Sequence, residues 1–309
     1  MRVGSNSIVV EALKACQLLS IIVPVFDDAA GLHRCLVAMD RQTLSKNRFE
    51  VIVVDNGSRS ALNRVVAPFR FARLVMESKP GSYAARNAGV ALAKGDIFVF
   101  TDADCEPSTD WLEQVVRVFD SQPELGALGG RINLRISGLR TTAELYELVL
   151  SPFPQQEFVQ QMNFAATANL AVRAHVFRAV GRFNERLLSS GDREWGNRLV
   201  AGGYTLRYAA EPSVVHPART SIRALVNKRL RIAGGTVGLA AVREGFGGEW
   251  HSGRLHPPRR ELAARLLLAP ETLGLSRNEG AKVLALAACL VLIRVLEGFR
   301  LQLGGQPLR

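Results

Sequence analysis

Apolar positions along the chain alternate between two rhythms. Short unbroken runs rich in β-branched residues occupy positions 18–25, 49–54, 72–76, 97–100 and 126–132. Runs of this length predict strands buried on both faces, as in a parallel sheet. Between them the apolar spacing changes to three and four. Leu32, Leu36 and Met39 share one face of a helix expected over 30–42. Further helices are expected at 61–69, 82–93 and 111–120. Asp55-Asn56-Gly57-Ser58 and Gly95 supply the turns between them.

Strands alternating with helices predict an α/β fold with a mainly parallel central sheet flanked by helices. The pattern then loosens. Residues 146–164 read as irregular because Pro152 and Pro154 break any helix. A helix is expected at 193–201, ending at Gly202-Gly203, and a short strand at 206–208 before Glu211-Pro212. Beyond Pro217 the pattern is helical and basic, interrupted by a loose Gly- and Pro-containing loop at 245–260.

Composition narrows the class. With 309 residues and 48% hydrophobic content, the chain can bury a large core. Its four cysteines, Cys16, Cys35, Cys105 and Cys289, are scattered and form no CxxC pair. That spacing predicts a reducing compartment and no zinc site. The net charge of +11 is uneven: residues 217–309 carry 15 Lys+Arg against 6 acidic residues, leaving 24 and 22 for the rest. A basic tail on a near-neutral body predicts an anionic partner such as a diphosphate or an anionic membrane surface. It lacks the aromatic interleaving of single-strand binders, so no nucleic acid is expected. Residues 1–17 lack the apolar core of a signal peptide. The apolar run at 283–293 is shorter than the roughly 20 residues of a span, leaving a core helix or a membrane-surface helix.

In layered α/β sheets ligands gather outside the carboxyl ends of the strands. Those ends carry Pro24 and Asp27, then Asp55, then Asp102-Ala103-Asp104. On an extended backbone Asp102 and Asp104 point the same way. Two hard oxygen ligands there suit Mg²⁺ or Mn²⁺ beside a diphosphate. The first turn has no GxGxxG and the chain has no GxxxxGK[ST] loop, so a nucleotide must be gripped differently.

Four motifs in order carry a resemblance: residues 20–27, Glu50 to Ser58, Ala85-Arg86-Asn87-Ala88-Gly89, and Asp102-Ala103-Asp104. Together they resemble the family 2 glycosyltransferases of GT-A fold, over residues 18–235. The resemblance implies a 1–17 extension and a GT-A domain with a nucleotide half (18–132) and an acceptor half (133–235). A helical, basic extension (236–309), a candidate for membrane association, would follow. It implies that Pro24, Asp27, Asp55, Lys79, Arg86 and Asp102 bind a nucleotide-diphospho-sugar, with a UDP-sugar favoured. Asp104 and His216 would hold Mn²⁺ or Mg²⁺, and imidazole suits Mn²⁺ better. Asp192 would be the general base, although Gly191 stands where many members carry Glu; Asn56 likewise replaces a second Asp. For Asp192 the alternative is capping a helix that begins at Arg193.

Lys228, Arg229 and Arg231 become candidates for the diphosphate, or else for a basic membrane face. Asn169, Glu194 (also a lesser candidate base) and Trp195 become candidates for the acceptor side, with core packing the alternative for Trp195. The implied activity is inverting transfer of a sugar to a hydroxyl of a glycan or lipid-linked acceptor. The expected setting is cytoplasmic, peripheral on the membrane. One rival is a non-catalytic sugar-nucleotide- or membrane-binding descendant. Another is a nucleotidyltransferase, which needs a Gly-rich basic first turn that is absent.

Overall fold

The computed structural model describes residues 17–244 and 259–305. All but residue 17 of the 1–17 extension and most of the 245–260 loop lie outside the described residues. One eight-stranded sheet organises the body. Its strands are β1 (Leu19–Val25), β2 (Phe49–Asp55), β3 (Ala72–Met76), β4 (Ile97–Thr101), β5 (Glu106–Pro107), β6 (Leu125–Arg135), β7 (Asn169–Arg173) and β8 (Thr205–Pro217), in the order β3-β2-β1-β4-β7-β6-β8-β5.

The β3-β2-β1-β4 half is parallel, as the buried runs predict. Beyond it the sheet is mixed. β7 runs antiparallel to both β4 and β6, while β6 and β8 are parallel. β7 carries Asn169 and a run of small apolar residues, which gave no strand signal.

Alternating side chains of each strand feed opposite layers. Ile21 and Val23 of β1 join Val51 and Val53 of β2 beneath helices α1 (Ala29–Asp40) and α4 (Trp111–Ser121). The short α2 (Asn63–Val66) covers only part of the helix expected at 61–69. Ile22, Ile52 and Val54 face the other layer, with α3 (Ser82–Leu92), α7 (Ala174–Val180) and α8 (Gly191–Ala201). Gly89 of α3 lets that helix close on the sheet: a Cβ there would lie 2.6 Å from the Ile22 Cγ2.

Three expectations are corrected. The 146–164 segment is not irregular: α5 (Thr142–Leu150) and α6 (Gln155–Met162) flank the prolines. Pro152 and Pro154 break one helix from the next, and a Thr141–Glu144 capping box starts α5. The strand expected at 206–208 extends to Pro217, because pairing with β6 resumes after a register shift near Gly130. The helix expected at 193–201 begins at Gly191 after Ser190 in a left-handed conformation (φ 64°). Asp192 is therefore inside the first turn and is not its cap.

After the sheet come α9 (Ile222–Glu244), α10 (Arg259–Leu268) and α11 (Arg277–Gln302). With α5 they enclose a third cluster around Leu145, Leu225, Leu266, Val283, Leu286 and Leu290. One face of the 283–293 run is thus core.

Candidate active site

The carboxyl ends of β1, β2 and β4 converge as the topology requires. Asp55, buried at the end of β2, accepts the Ser58 N–H at 2.8 Å. Asp27 follows β1 with φ 52° and accepts from both the backbone N–H and Nε of Arg59, at 2.8 and 2.9 Å. The Arg59 hydrogen bonds hold its carboxyl below the usual range. Pro24 pairs with Val54 across the β1–β2 ladder. Asn56 is explained by what it bonds. Its Nδ2 donates to the carbonyls of Glu77 and Lys79, and its Oδ1 accepts the Gly81 N–H. A carboxylate accepts only, so Asp could not make the first two bonds. Asn56 ties down the loop carrying Lys79, whose ammonium pairs with Glu185.

A second group forms at the end of β4. Ligand atoms of Asp102, Asp104, Cys105 and His216 all lie within 4.8 Å of one another. His216 Nε2 is 3.7 Å from the Asp104 carboxylate, and its Nδ1 is 2.8 Å from the Pro217 carbonyl. A carbonyl oxygen only accepts, so Nδ1 carries the hydrogen. Nε2 is then the ring nitrogen turned toward the carboxylates. Phe153 packs on the imidazole at 4.9 Å between centroids. Burial pushes the Asp104 carboxyl above its ordinary range, with Asp102 adding to the effect and His216 and Arg219 opposing it. A donor set of two carboxylates and one imidazole fits Mn²⁺ or Mg²⁺, and a cation would relieve the cost of the buried charge. The Cys105 thiol is buried and burial raises its pKa, so it is a neutral neighbour.

Helix α3 joins this group to Asp192. Arg86 is buried; its Nη2 donates to Asp102 at 2.5 Å and its Nη1 to the Ser82 carbonyl at 3.3 Å, and its Nε has no hydrogen-bond partner among the described residues. A buried guanidinium N–H without a partner is costly and makes Arg86 Nε a candidate ligand donor. The Arg86 guanidinium lies 5.7 Å from the Tyr83 ring centroid. Tyr83, buried, has its hydroxyl 3.3 Å from Asp192 Oδ1 and accepts the Asp192 N–H at 3.2 Å. Burial raises the Asp192 carboxyl pKa, while the Arg193 N–H, Arg86 and Tyr83 pull it back. A Cβ on Gly191 would lie 2.6 Å from Tyr83 Cε2. Gly191 therefore leaves room for the Tyr83 ring. Tyr83 was not among the expected site residues, although it lies within the segment that carries Arg86.

Basic residues flank the metal-type cluster on its other side. Glu147, fully buried on α5, accepts from Lys228 Nζ at 2.5 Å and from Arg219 through both its backbone N–H (2.7 Å) and Nη1 (3.2 Å). Burial opposes the Glu147 charge, yet Lys228 and Arg219 bring its carboxyl below the ordinary value. Burial and Arg219 lower the Lys228 ammonium to about 8, against the pull of Glu147. Lys228 also lies 5.1 Å from the Phe153 ring that packs on His216. Glu147 had no sequence signal, since 146–164 read as irregular, and Arg219 was covered only by the basic balance of the segment after Pro217.

Several expected site residues are placed elsewhere. Trp195 is buried, stacks on Phe177 at 5.3 Å and donates to the Gly181 carbonyl at 2.8 Å, so it belongs to the core. Asn169 is buried too. It donates to the carbonyls of Arg131 and Pro212 and accepts from Trp111 Nε1, bracing β6 and β8. Glu194 is buried in a two-point pair with Arg198. Arg229 donates to the Tyr146 hydroxyl at 2.6 Å, and Arg231 is exposed on α9; no contact among the described residues joins either to the metal-type cluster.

Comparison with known proteins agrees with this arrangement. The sequence model described as Glycosyl transferase family 2 matches residues 20–181. The glycosyltransferase AglE of Haloferax volcanii is 35% identical over 223 residues, covering 71% of this chain and 72% of that protein. The pre-mycofactocin glycosyltransferase of Mycobacterium tuberculosis is 28% identical over 230 residues; the match covers 72% of this chain and 47% of that longer relative. Among solved structures, the mannosyltransferase PcManGT of Pyrobaculum calidifontis in complex with GDP-Man and Mn²⁺ superposes with a TM-score of 0.57. It is 22% identical, covering 92% of this chain and 81% of that one. S. aureus TarS 1–349 in complex with UDP gives a TM-score of 0.52 at 15% identity, covering 85% and 76%.

Proposed function

The chain belongs to glycosyl transferase family 2 and is a glycosyltransferase; from that premise we propose that it transfers a sugar, with inversion, from a nucleoside-diphosphate sugar to a hydroxyl acceptor in glycan biosynthesis. The observation that carries the reading is the continuous link Asp104–Asp102–Arg86–Tyr83–Asp192, which joins a metal-type ligand set to an isolated carboxylate.

Asp27, Asp55 and Lys79 would receive the nucleoside end, and Arg86 Nε is the open donor beside Asp102. Mn²⁺ or Mg²⁺ held by Asp104, Asp102 and His216 would neutralise the departing diphosphate. Lys228 and Arg219, two cations on one carboxylate, leave net positive charge for the same purpose. Asp192 would take the acceptor proton. Its raised pKa makes it a stronger base than an exposed carboxylate. The Tyr83 hydroxyl and the Arg193 N–H fix its carboxylate. Tyr83 is a positioning residue in this scheme.

The acceptor is a glycan or lipid-linked hydroxyl at a cytoplasmic membrane face. Buried unpaired Cys35 and Cys105 and the basic C-terminal segment support that setting. A panel of UDP-, GDP- and dTDP-sugars with Mn²⁺ tests the scheme through donor turnover. Wild type should consume one nucleotide class. Asp104→Ala should lose metal-dependent donor binding, and Asp192→Asn should bind donor but not turn it over. Turnover retained by Asp192→Asn would remove it as the base.

A further inference from the structure

The C-terminal helix α11 presents more apolar surface than the fold uses. Val283, Leu286 and Leu290 pack into the third cluster. On the opposite side, Ala285, Leu292, Val295, Leu296, Phe299 and the cap residue Leu303 fall within an arc of about 100° at 3.6 residues per turn. All six are exposed: Leu292, Leu296 and Phe299 by 59, 58 and 60%, and Leu303 by 88%. The stripe from Ala285 to Leu303 is about 27 Å long at 1.5 Å per residue. Leu267 and Leu268, at the end of α10, are exposed by 67 and 75%. An exposed apolar stripe of the extent seen on α11 marks an interaction site.

Charge decides among occupants. Lys282, on one edge of the stripe, has a long basic side chain that can reach a polar boundary, while Arg300, five turns on, is paired with Glu297. Residues 217–309 carry 15 basic against 6 acidic residues and no Asp. A second copy would bring the same positive charge to the contact, whereas an anionic lipid surface brings the opposite one. No described helix is long and apolar enough to cross a membrane. One face of α11 is also committed to the protein core.

We infer that α11 docks in the plane of an anionic membrane surface, with the Leu292–Leu296–Phe299–Leu303 stripe in the acyl boundary and the basic residues at the headgroups. The inference deepens the partner part of the proposed function, because membrane docking suits a lipid-linked acceptor. Helix α5 joins the two regions: Leu145 and Tyr146 pack into the α11 cluster, while Glu147 holds Lys228 and Arg219.

Vesicle binding of the full chain, measured without donor or acceptor, tests docking independently of catalysis. Wild type should co-sediment with phosphatidylglycerol-containing vesicles, bind phosphatidylcholine vesicles weakly, and lose binding as salt rises. The Leu292→Glu/Leu296→Glu/Phe299→Glu variant should bind roughly tenfold less or weaker, with an unchanged melting temperature, since the replaced side chains are exposed. In a separate Phe299→Trp variant, the added emission should shift to the blue on anionic vesicles, a readout that keeps the wild-type apolar surface. Absent binding by wild type, equal binding by the triple variant, or an unshifted Trp emission would overturn the inference. So would a wild-type dimer that the triple variant makes monomeric, which would assign the stripe to a second copy.

Discussion

At the residue scale, Asp192 acts through the atoms that hold it. Burial makes its carboxyl harder to ionise, and the Tyr83 hydroxyl and Arg86 offset part of that. In the proposed scheme Asp192 is the general base, which works only when ionised, so turnover should rise with pH through a midpoint above the ordinary carboxylate range. Tyr83→Phe removes a hydrogen bond that favours the ion, leaving Arg86, Arg193 and the opposing charge of Asp102 around it. Its acid limb should therefore move to higher pH, with kcat lowered and donor KM unchanged, as a pH–rate profile of both enzymes would show. A superimposable profile would remove Tyr83 as a positioning residue. Gly191→Ala should lower kcat in the same way by displacing the Tyr83 ring. Asn169 belongs to stability. Asn169→Ala strands the Trp111 indole N–H and two carbonyls in the interior, and should cost about 2–4 kcal/mol in denaturant unfolding.

At the element scale, α5 and α9 connect the charge cluster to the helical region. The Thr141 side chain accepts the Glu144 N–H and starts α5 in position for Glu147. Thr141→Ala should lower stability by about 1 kcal/mol, measured by thermal unfolding. Lys228 loses its proton as pH rises through about 8. Donor affinity should accordingly weaken over that interval if Lys228 faces the diphosphate. Glu147 favours the charged ammonium, so Glu147→Gln should move the loss to lower pH; titrations of donor across pH would register both. The elements were unevenly legible in the sequence. β1, β2 and β4 announce themselves through unbroken apolar runs. β7 does not, because its pairing to β4 and β6 is set across the sheet and not by its own small residues. α5 and α6 were hidden by Pro152 and Pro154, which separate two helices without abolishing either.

At the scale of the whole molecule, the candidate site was legible where its chemistry is local. Asp27, Asp55, Asp102 and Asp104 end strands, and parallel topology brings strand ends together. The contacts that complete the site span long separations. Tyr83 and Asp192 are 109 residues apart and Glu147 and Lys228 are 81 apart, so local periodicity carries no trace of either pair. Trp195, Asn169 and Glu194 show the converse: the core alternative stated for Trp195 is the one its contacts fit, and proximity in sequence to a site segment says nothing about which way a side chain points. The central claim, that Asp102, Asp104 and His216 complete a metal-assisted donor site, is tested most directly by calorimetric titration of nucleoside-diphosphate sugars with and without Mn²⁺. The account predicts binding of one nucleotide class that requires the metal and is lost in Asp104→Ala. Metal-independent binding, unchanged in Asp104→Ala, would contradict it.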